Sequence, residues 1–297
     1  MIILQGENIQ MSVPCVLAVG KFESIHLGHQ ALVSEMMKLA SAHGLTTALI
    51  VFEPHPYQVL VDPEYKPLFT RVEREYLVAE LGVDYLLEYP FDVDFAALSP
   101  EEFCRKIREE LQGRIVVVGK GYRFGCGREG TADTLRQAGI QVREIPHIGE
   151  GRKTSTSTIR ALLSENNLSQ AEGLLGYPFF IMGKVTPGRK LGRTIGIPTV
   201  NIYPHEDKFL PTDGVYATRT FFDGVSYKGI TNIGVRPTVE GADAPRSVET
   251  YLLDYCGGDL YGKDIRTEFL CFIRPERRFE NLEALKAQIH EDCKAIL

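Results

Sequence analysis

Two hydrophobic periods divide the chain. Up to about residue 146, short apolar runs alternate with stretches of helical spacing; after Phe179, runs of period two follow one another with turn residues between them. In the first part, Val13 to Val19, Thr46 to Phe52, Val83 to Tyr89, Arg114 to Gly119 and Ile140 to Ile145 predict strands buried on both faces. Between them, Ala31 to His43 places Leu32, Met36, Leu39 and Ala40 on one helical face. Thr70-Arg71-Val72-Glu73 has the form of a capping box opening a helix that runs to Gly82. Ser99-Pro100-Glu101-Glu102 opens another, closed by Gly113, and a short helix near Thr131 to Ala138 ends at Gly139. Strict alternation of strand and helix predicts a doubly wound α/β domain, its parallel sheet covered on both faces. Glu53-Pro54-His55-Pro56 excludes helix and predicts an extended loop at a strand's carboxyl end, the edge where such sheets hold ligands.

The second part reads as Val215 to Phe222, an Asp223-Gly224 turn, Val225 to Val235, Val248 to Tyr255 and Ile265 to Ile273. Five or six such antiparallel strands predict a small closed β-barrel, because closure removes exposed edges. A C-terminal helix, Asn281 to Ile296, carries Leu282, Leu285, Ile289 and Ala295 on its apolar side. The border is expected near Tyr177-Pro178, giving domains 1–178 and 179–297.

Composition narrows the partners. The 33 basic and 39 acidic side chains give a net charge of −6, which offers no electrostatic reason to bind nucleic acid or an acidic membrane. Six scattered cysteines, with no Cys-x-x-Cys pair, read as reduced thiols. The stretch Met1 to Met11 lacks a basic patch followed by a long apolar run, and no eighteen apolar residues run together anywhere. The expectation is a cytoplasmic protein of small-molecule chemistry, with a weak homo-oligomer left open.

Candidate chemistry begins at Gly20-Lys21-Phe22-Glu23-Ser24-Ile25-His26-Leu27-Gly28-His29, a turn between a strand and a helix. The first-turn N–H groups of such a helix favour a phosphate. His26 and His29 add donors for a developing oxyanion, and Gly28 lets a ligand approach. The competing reading makes the histidines caps or solvated side chains; a zinc site lacks the i, i+4 spacing and a third ligand. Thr154-Ser155-Thr156-Ser157-Thr158-Ile159-Arg160 sets a hydroxyl cluster and an arginine at a helix start, either a triphosphate clamp or an N-cap linker. Gly188-Arg189-Lys190-Leu191-Gly192-Arg193 could fold over phosphates, while Thr199 and Asn201, two apart on an extended segment, share a face and suit Mg²⁺ held with a nucleotide. The alternative there is a solvated basic hairpin. Glu249, beside Tyr251-Leu252-Leu253, could serve as general base toward a substrate hydroxyl, or could simply face outward from a strand. No Walker loop and no Gly-x-Gly-x-x-Gly follows the first strand, which disfavours P-loop hydrolysis and dinucleotide redox chemistry.

From Val16 to the final helix the chain resembles the bacterial bifunctional riboflavin kinase/FMN adenylyltransferases, the prokaryotic FAD synthetases. The resemblance rests on His26-x-Gly28-His29, Phe52-Glu53-Pro54-His55-Pro56, Arg160 with its hydroxyl cluster, Gly196-x-Pro198-Thr199-x-Asn201, Asn232-Ile233-Gly234-x-x-Pro237-Thr238, and Glu249 before Leu252-Leu253-Asp254. It implies a Rossmann-like nucleotidyltransferase domain followed by a riboflavin kinase barrel. It also implies riboflavin, FMN, FAD, ATP, ADP and pyrophosphate as partners, with Mg²⁺ as cofactor. In the barrel, Glu249 would deprotonate riboflavin, Thr199 and Asn201 would hold Mg²⁺, Gly188, Gly192 and Arg193 would cover ATP, and Arg274 would border the flavin. In the front domain His26, His29 and Arg160 would stabilise charge during adenylyl transfer, with Gly20, Phe22, Gly28, Ser155 and Ser157 at the nucleotide. Two positions depart from the usual pattern, Gly20-Lys21-Phe22-Glu23-Ser24 for Gly-Asn-Phe-Asp-Gly and Gly121 for Asp or Asn. Both fall in the front half, so retention of the kinase alone, or of flavin binding without turnover, stays open at this level.

Overall fold

The computed structural model describes residues 1–146, 154–188, 196–235, 246–294 and 296. Their contacts form two compact units, Met1–Thr156 and Ser157–Leu297.

In the first unit, β1 (Ile2–Gln5), β2 (Cys15–Val19), β3 (Thr46–Glu53), β4 (Tyr85–Pro90), β5 (Gly113–Gly119) and β6 (Gln141–Ile145) form one sheet in the order β1-β4-β3-β2-β5-β6, every pairing parallel. The chain winds outward from β2 through β3 to β4, then crosses back to β5 on the other side. The order therefore reverses at β2, and the crevice beyond its carboxyl end is where this architecture places ligands. Helix α1 (Leu27–His43) lies against β2, β3 and β5, with Val33, Met36 and Ala40 buried. Cys15, Leu17 and Val19 of β2 pack instead with Phe103, Ile107 and Leu135. Each fully buried Leu, Ile or Val of this sheet contributes about 1.5–3 kcal/mol.

Both predicted capping boxes form: Thr70 and Glu73 open α3 (Arg71–Glu80), and Ser99 and Glu102 open α5 (Pro100–Arg105). Two local expectations change. Glu53-Pro54-His55-Pro56 does not exclude helix, because His55 is the N-cap and Pro56 the first residue of α2 (Pro56–Leu60), the one helical position where proline lacks nothing. Gly113 does not close α5, which continues through a π-turn, Lys106–Glu110; it opens β5, where a Cβ would stand 2.4 Å from Leu17 Cδ1. Between α3 and β5 lie β4 and the short α4 (Val93–Ala96), and α6 (Ala132–Gln137) precedes β6.

The second unit begins with α7 (Thr156–Ser164) and α8 (Leu168–Leu175), α8 packing on β12. Contacts thus place the division at Thr156/Ser157, ahead of the Tyr177-Pro178 border suggested by the change of period. Six antiparallel strands follow: β7 (Phe180–Lys184), β8 (Thr199–Ile202), β9 (Gly214–Phe222), β10 (Val225–Val235), β11 (Arg246–Leu252) and β12 (Asp264–Arg274). Their order is β7-β12-β9-β10-β11-β8, and the two edges meet where the N–H of Thr186 donates to Asn201 O at 2.9 Å. Gly183 permits that closure, since a Cβ there would lie 2.4 Å from Ile202 Cγ2. One face of the sheet carries a chain of buried threonine hydroxyls, Thr218 to Thr231 and Thr231 to Thr250, each at 2.8 Å. Helix α9 (Leu282–Lys294) is capped by Asn281, whose Oδ1 accepts from Ala284 N–H, so Asn281 precedes the helix instead of starting it.

Candidate functional site

In the first unit, the turn after β2 delivers His26 to the N-cap of α1, where its Nδ1 accepts from the N–H of His29 at 3.3 Å. The two imidazoles stack with centroids 3.8 Å and planes 9° apart, and the Phe22 ring lies 4.8 Å from that of His29. Burial lowers His26 to about 4; burial and the neighbouring His26 hold His29 well below the ordinary histidine value. Both rings are neutral at pH 7. With Nδ1 of His26 accepting, hydrogen-bond assignment puts that ring's proton on Nε2, a neutral donor.

A Cβ on Gly28 would stand 3.0 Å from His26 Cε1, and one on Gly20 would stand 3.0 Å from the Phe22 ring, so both make room for rings of this same turn. Phe22 is fully buried and backs His29, so its side chain offers no surface to a nucleotide. Gly121 sits at φ +76° in the turn after β5, where Tyr122 N–H donates to Gly119 O. Ser155 belongs to the first unit, whereas Ser157, exposed on α7, and Arg160 belong to the second. The Arg160 guanidinium carbon lies 4.7 Å from the centre of the Phe209 ring.

In the second unit, strand register assembles the site. Asn201 of β8 pairs with Glu249 of β11, Glu249 with Asn232 of β10, Asn232 with Val215 of β9, and Val215 with Arg274 of β12. The next row on the same face runs Thr199, Tyr251, Ile230, Ala217. Glu249, Asn232, Val215 and Arg274 of the first row and Thr199, Tyr251 and Ile230 of the second line a pocket of about 310 Å³, walled by Phe279, Leu282 and Ile289 at and before α9. Its apolar wall suits a planar ring system, and its acidic end suits a hydroxyl.

Arg274 is already engaged: its Nε and Nη2 donate to the buried Asp292 carboxylate of α9 at 3.0 and 2.8 Å. Asn232 Nδ2 donates to Glu276 at 2.7 Å. Neither Asn232 nor Asp292 was among the residues singled out for chemistry, although each left a trace. Asn232 shares the parity of Ile230, and Asp292 interrupts the apolar stripe Leu285, Ile289.

Oxygen donors fit a hard divalent cation beside this row. The buried Oδ1 of Asn201 has no hydrogen-bond partner among the described residues, the Thr199 hydroxyl lies on the same face, and a Cβ on Gly188 would fall 2.5 Å from Asn201 Nδ2. Gly192 and Arg193 of the same loop lie outside the described residues, as do Pro237 and Thr238. Among the described residues, no three His, Cys, Asp or Glu side chains gather closely enough to hold a metal by themselves.

A reversing parallel sheet with paired imidazoles at a helix start, followed by a barrel with a carboxylate beside an unpartnered amide oxygen, fits the class of enzymes that transfer phosphate groups. The FAD synthetase family model matches residues 8–159, and the riboflavin kinase family model matches residues 175–297. A bifunctional riboflavin kinase/FMN adenylyltransferase from Escherichia coli (strain K12) is 38% identical over 288 residues, 94% of this chain and 90% of the relative. One from Bacillus subtilis (strain 168) is 36% identical over 285 residues, 93% and 90% of the two chains. A crystal structure from Streptococcus pneumoniae, described as a macrolide-efflux protein, is 28% identical and superposes with a TM-score of 0.89 over 99% of this chain and 98% of its own. The chain belongs to the bifunctional riboflavin kinase/FMN adenylyltransferase family, and it is a transferase carrying both halves.

Proposed function

We propose that the second unit phosphorylates riboflavin to FMN and that the first converts FMN to FAD, each with ATP. In the barrel, Glu249 takes the proton of the terminal ribityl hydroxyl as that oxygen attacks the γ-phosphate, and ADP leaves. The isoalloxazine ring lies along Ile230, Phe279 and Ile289, with Arg274 bordering it. Thr199 and Asn201 would hold Mg²⁺, which supplies neutralising charge to the ATP phosphates when bound. Gly188 leaves room beside Asn201 on the side of those phosphates.

In the first unit, a phosphate oxygen of FMN attacks the α-phosphate of ATP and pyrophosphate departs. His26 donates its Nε2–H to the charge that builds there, and the first-turn N–H groups of α1 add fixed positive potential. His29 and Ser155 complete the anion-binding set of this unit. No covalent intermediate is required, because positioning and electrostatics supply most of the acceleration in such transfers. ATP as substrate and six free thiols support action in the cytoplasm. Among the described residues, no helix is long and apolar enough to cross a membrane.

The observation that carries this reading is the cross-strand row that sets Glu249 between Asn201 and Asn232 on the floor of an apolar pocket. Product analysis tests it: purified chain given riboflavin, ATP and Mg²⁺ should form FMN first and FAD second. FMN without FAD would remove the adenylyl transfer, and neither product would overturn both assignments.

A further inference from the structure

The turn that carries the imidazoles is strained and is held from outside. Phe22 and Ile25, neither of them glycine, adopt φ of 42° and 40°. Side chains with a Cβ seldom adopt that region, and such strain persists only where the surroundings impose it. Gln30 Nε2 donates to Ile25 O at 2.9 Å, and the Ser24 and Thr156 hydroxyls meet at 3.0 Å. The third fastening is Glu23, buried at 3% exposure. Its Oε1 accepts from Leu68 N–H at 2.9 Å, and its carboxylate accepts from the Tyr65 hydroxyl at 2.9–3.0 Å. Its Oε2 faces His55 Nε2 at 3.4 Å.

The contact from His55 Nε2 to Glu23 is electrostatic, without a formed hydrogen bond. The Nδ1 of His55 accepts from Tyr57 N–H at 3.2 Å, so the proton of its ring sits on Nε2, toward Glu23. The Tyr65 ring stacks on the His55 ring at 5.3 Å. One carboxylate therefore ties the exit loop of β2 to the exit loop of its neighbour β3 and to the 65–68 segment. Phe22, the residue before Glu23 in the chain, backs His29 directly.

We infer that Glu23 is a positioning residue for adenylyl transfer: it clamps the Phe22–His26 turn, and through it both imidazoles, against His55, Tyr65 and the Leu68 amide. This rests on the adenylyl-transfer reading of the first unit.

Glu23→Gln tests it, because two N–H donors face the two oxygens and an amide can accept on one side only. The expected result is a fall of about 30-fold or more in kcat for FAD formation, with KM for ATP and FMN within about threefold, the pattern of misplaced groups in an intact binding site. Riboflavin phosphorylation on the same chain should be unchanged. Glu23→Asp keeps both acceptor oxygens and should recover kcat to within about fivefold of the parent. In the ligand-free protein, the imidazole nitrogen resonances of His26 and His29 should shift in Glu23→Gln. FAD formation within about threefold of the parent, or unmoved imidazole resonances, would overturn the assignment. Should Glu23→Gln unfold the first unit, Tyr65→Phe decides, since it keeps the buried charge and removes one donor: a folded variant with shifted imidazoles and lower kcat supports the clamp, and one identical to the parent refutes it. A parent chain that makes no FAD would defeat the adenylyl reading itself, while the imidazole shifts would still decide what Glu23 holds.

Discussion

Glu249 on β11 stands directly opposite Asn201 on β8, as register partners on the pocket face of the barrel. Direct partners of this kind have Cβ atoms about 4.5–5.5 Å apart, so backbone pairing alone holds the proposed base beside the proposed metal-side residue. Replacing Glu249 by Gln keeps that pairing and removes the base. FMN formation should fall about a hundredfold or more, with conversion of added FMN to FAD intact. Unchanged kinase turnover would take Glu249 out of the mechanism.

Gly188 matters through what it leaves empty. A Cβ there would lie 2.5 Å from Nδ2 and 2.8 Å from Cγ of Asn201, whose side chain is buried and has little room to yield. Gly188→Ala should therefore displace the Asn201 amide and raise KM for MgATP in the kinase reaction about tenfold, the size of one lost charge-assisted contact. Steady-state kinetics at varied MgATP would show it, and an unaltered KM would mean that Asn201 does not touch the nucleotide side.

The pair Arg274 and Asp292 fastens α9 to β12 beside the pocket, with Asp292 almost fully buried. Truncating one partner leaves a buried charge alone, so Asp292→Ala should destabilise the second unit by about 3 kcal/mol in urea titration. The double variant Arg274→Met/Asp292→Leu should regain most of that loss. If the single variant costs nothing, the pair does not secure the helix.

His29→Ala removes a ring stacked on His26 and backed by Phe22. FAD formation should fall below detection while FMN formation proceeds at the parental rate. Equal loss of both activities, measured on one preparation, would point to a folding defect and not to lost chemistry.

The histidine pair also sets a dependence on acid. Burial lowers His26 from 6.5 to about 4 in the folded chain. The unfolded chain therefore binds the extra proton across that interval. Stability is complete above the unfolded value and is lost as pH falls from about 6.5 toward 4, by about 3 kcal/mol for this one group. His26→Asn keeps a capping side chain but cannot titrate. Calorimetry from pH 7.5 to 5 should show a shallower fall in the melting temperature of the first unit in the variant than in the parent; parallel curves would show that His26 titrates normally.

Most elements were readable because their causes are local. The Thr70–Glu73 and Ser99–Glu102 boxes span four residues each and formed as written. The periods of β10 and of α9 likewise lie within their own segments. Where a local rule had two outcomes, the sequence could not choose between them. His55-Pro56 suits either an extended loop or a helix start, and contact with Glu23 and Tyr65 accompanies the second. Gly113 suits either a helix end or a crowded strand, and Leu17 decides it.

By itself the sequence determined the two architectures, the alternation of strand and helix in one and of strand and turn in the other, and the residue types able to handle phosphate. It could place Thr199 and Asn201 on one face, because period two is a property of a single strand. Only the tertiary structure decided that Glu249, Asn232 and Arg274 join that face in one row, that Asp292 holds Arg274, that Phe22 is buried against His29, and that Glu23 is buried among donors. Register and burial depend on which distant segments meet, and a slip of one residue in β11, β10 or β12 would turn Glu249, Asn232 or Arg274 to the opposite face.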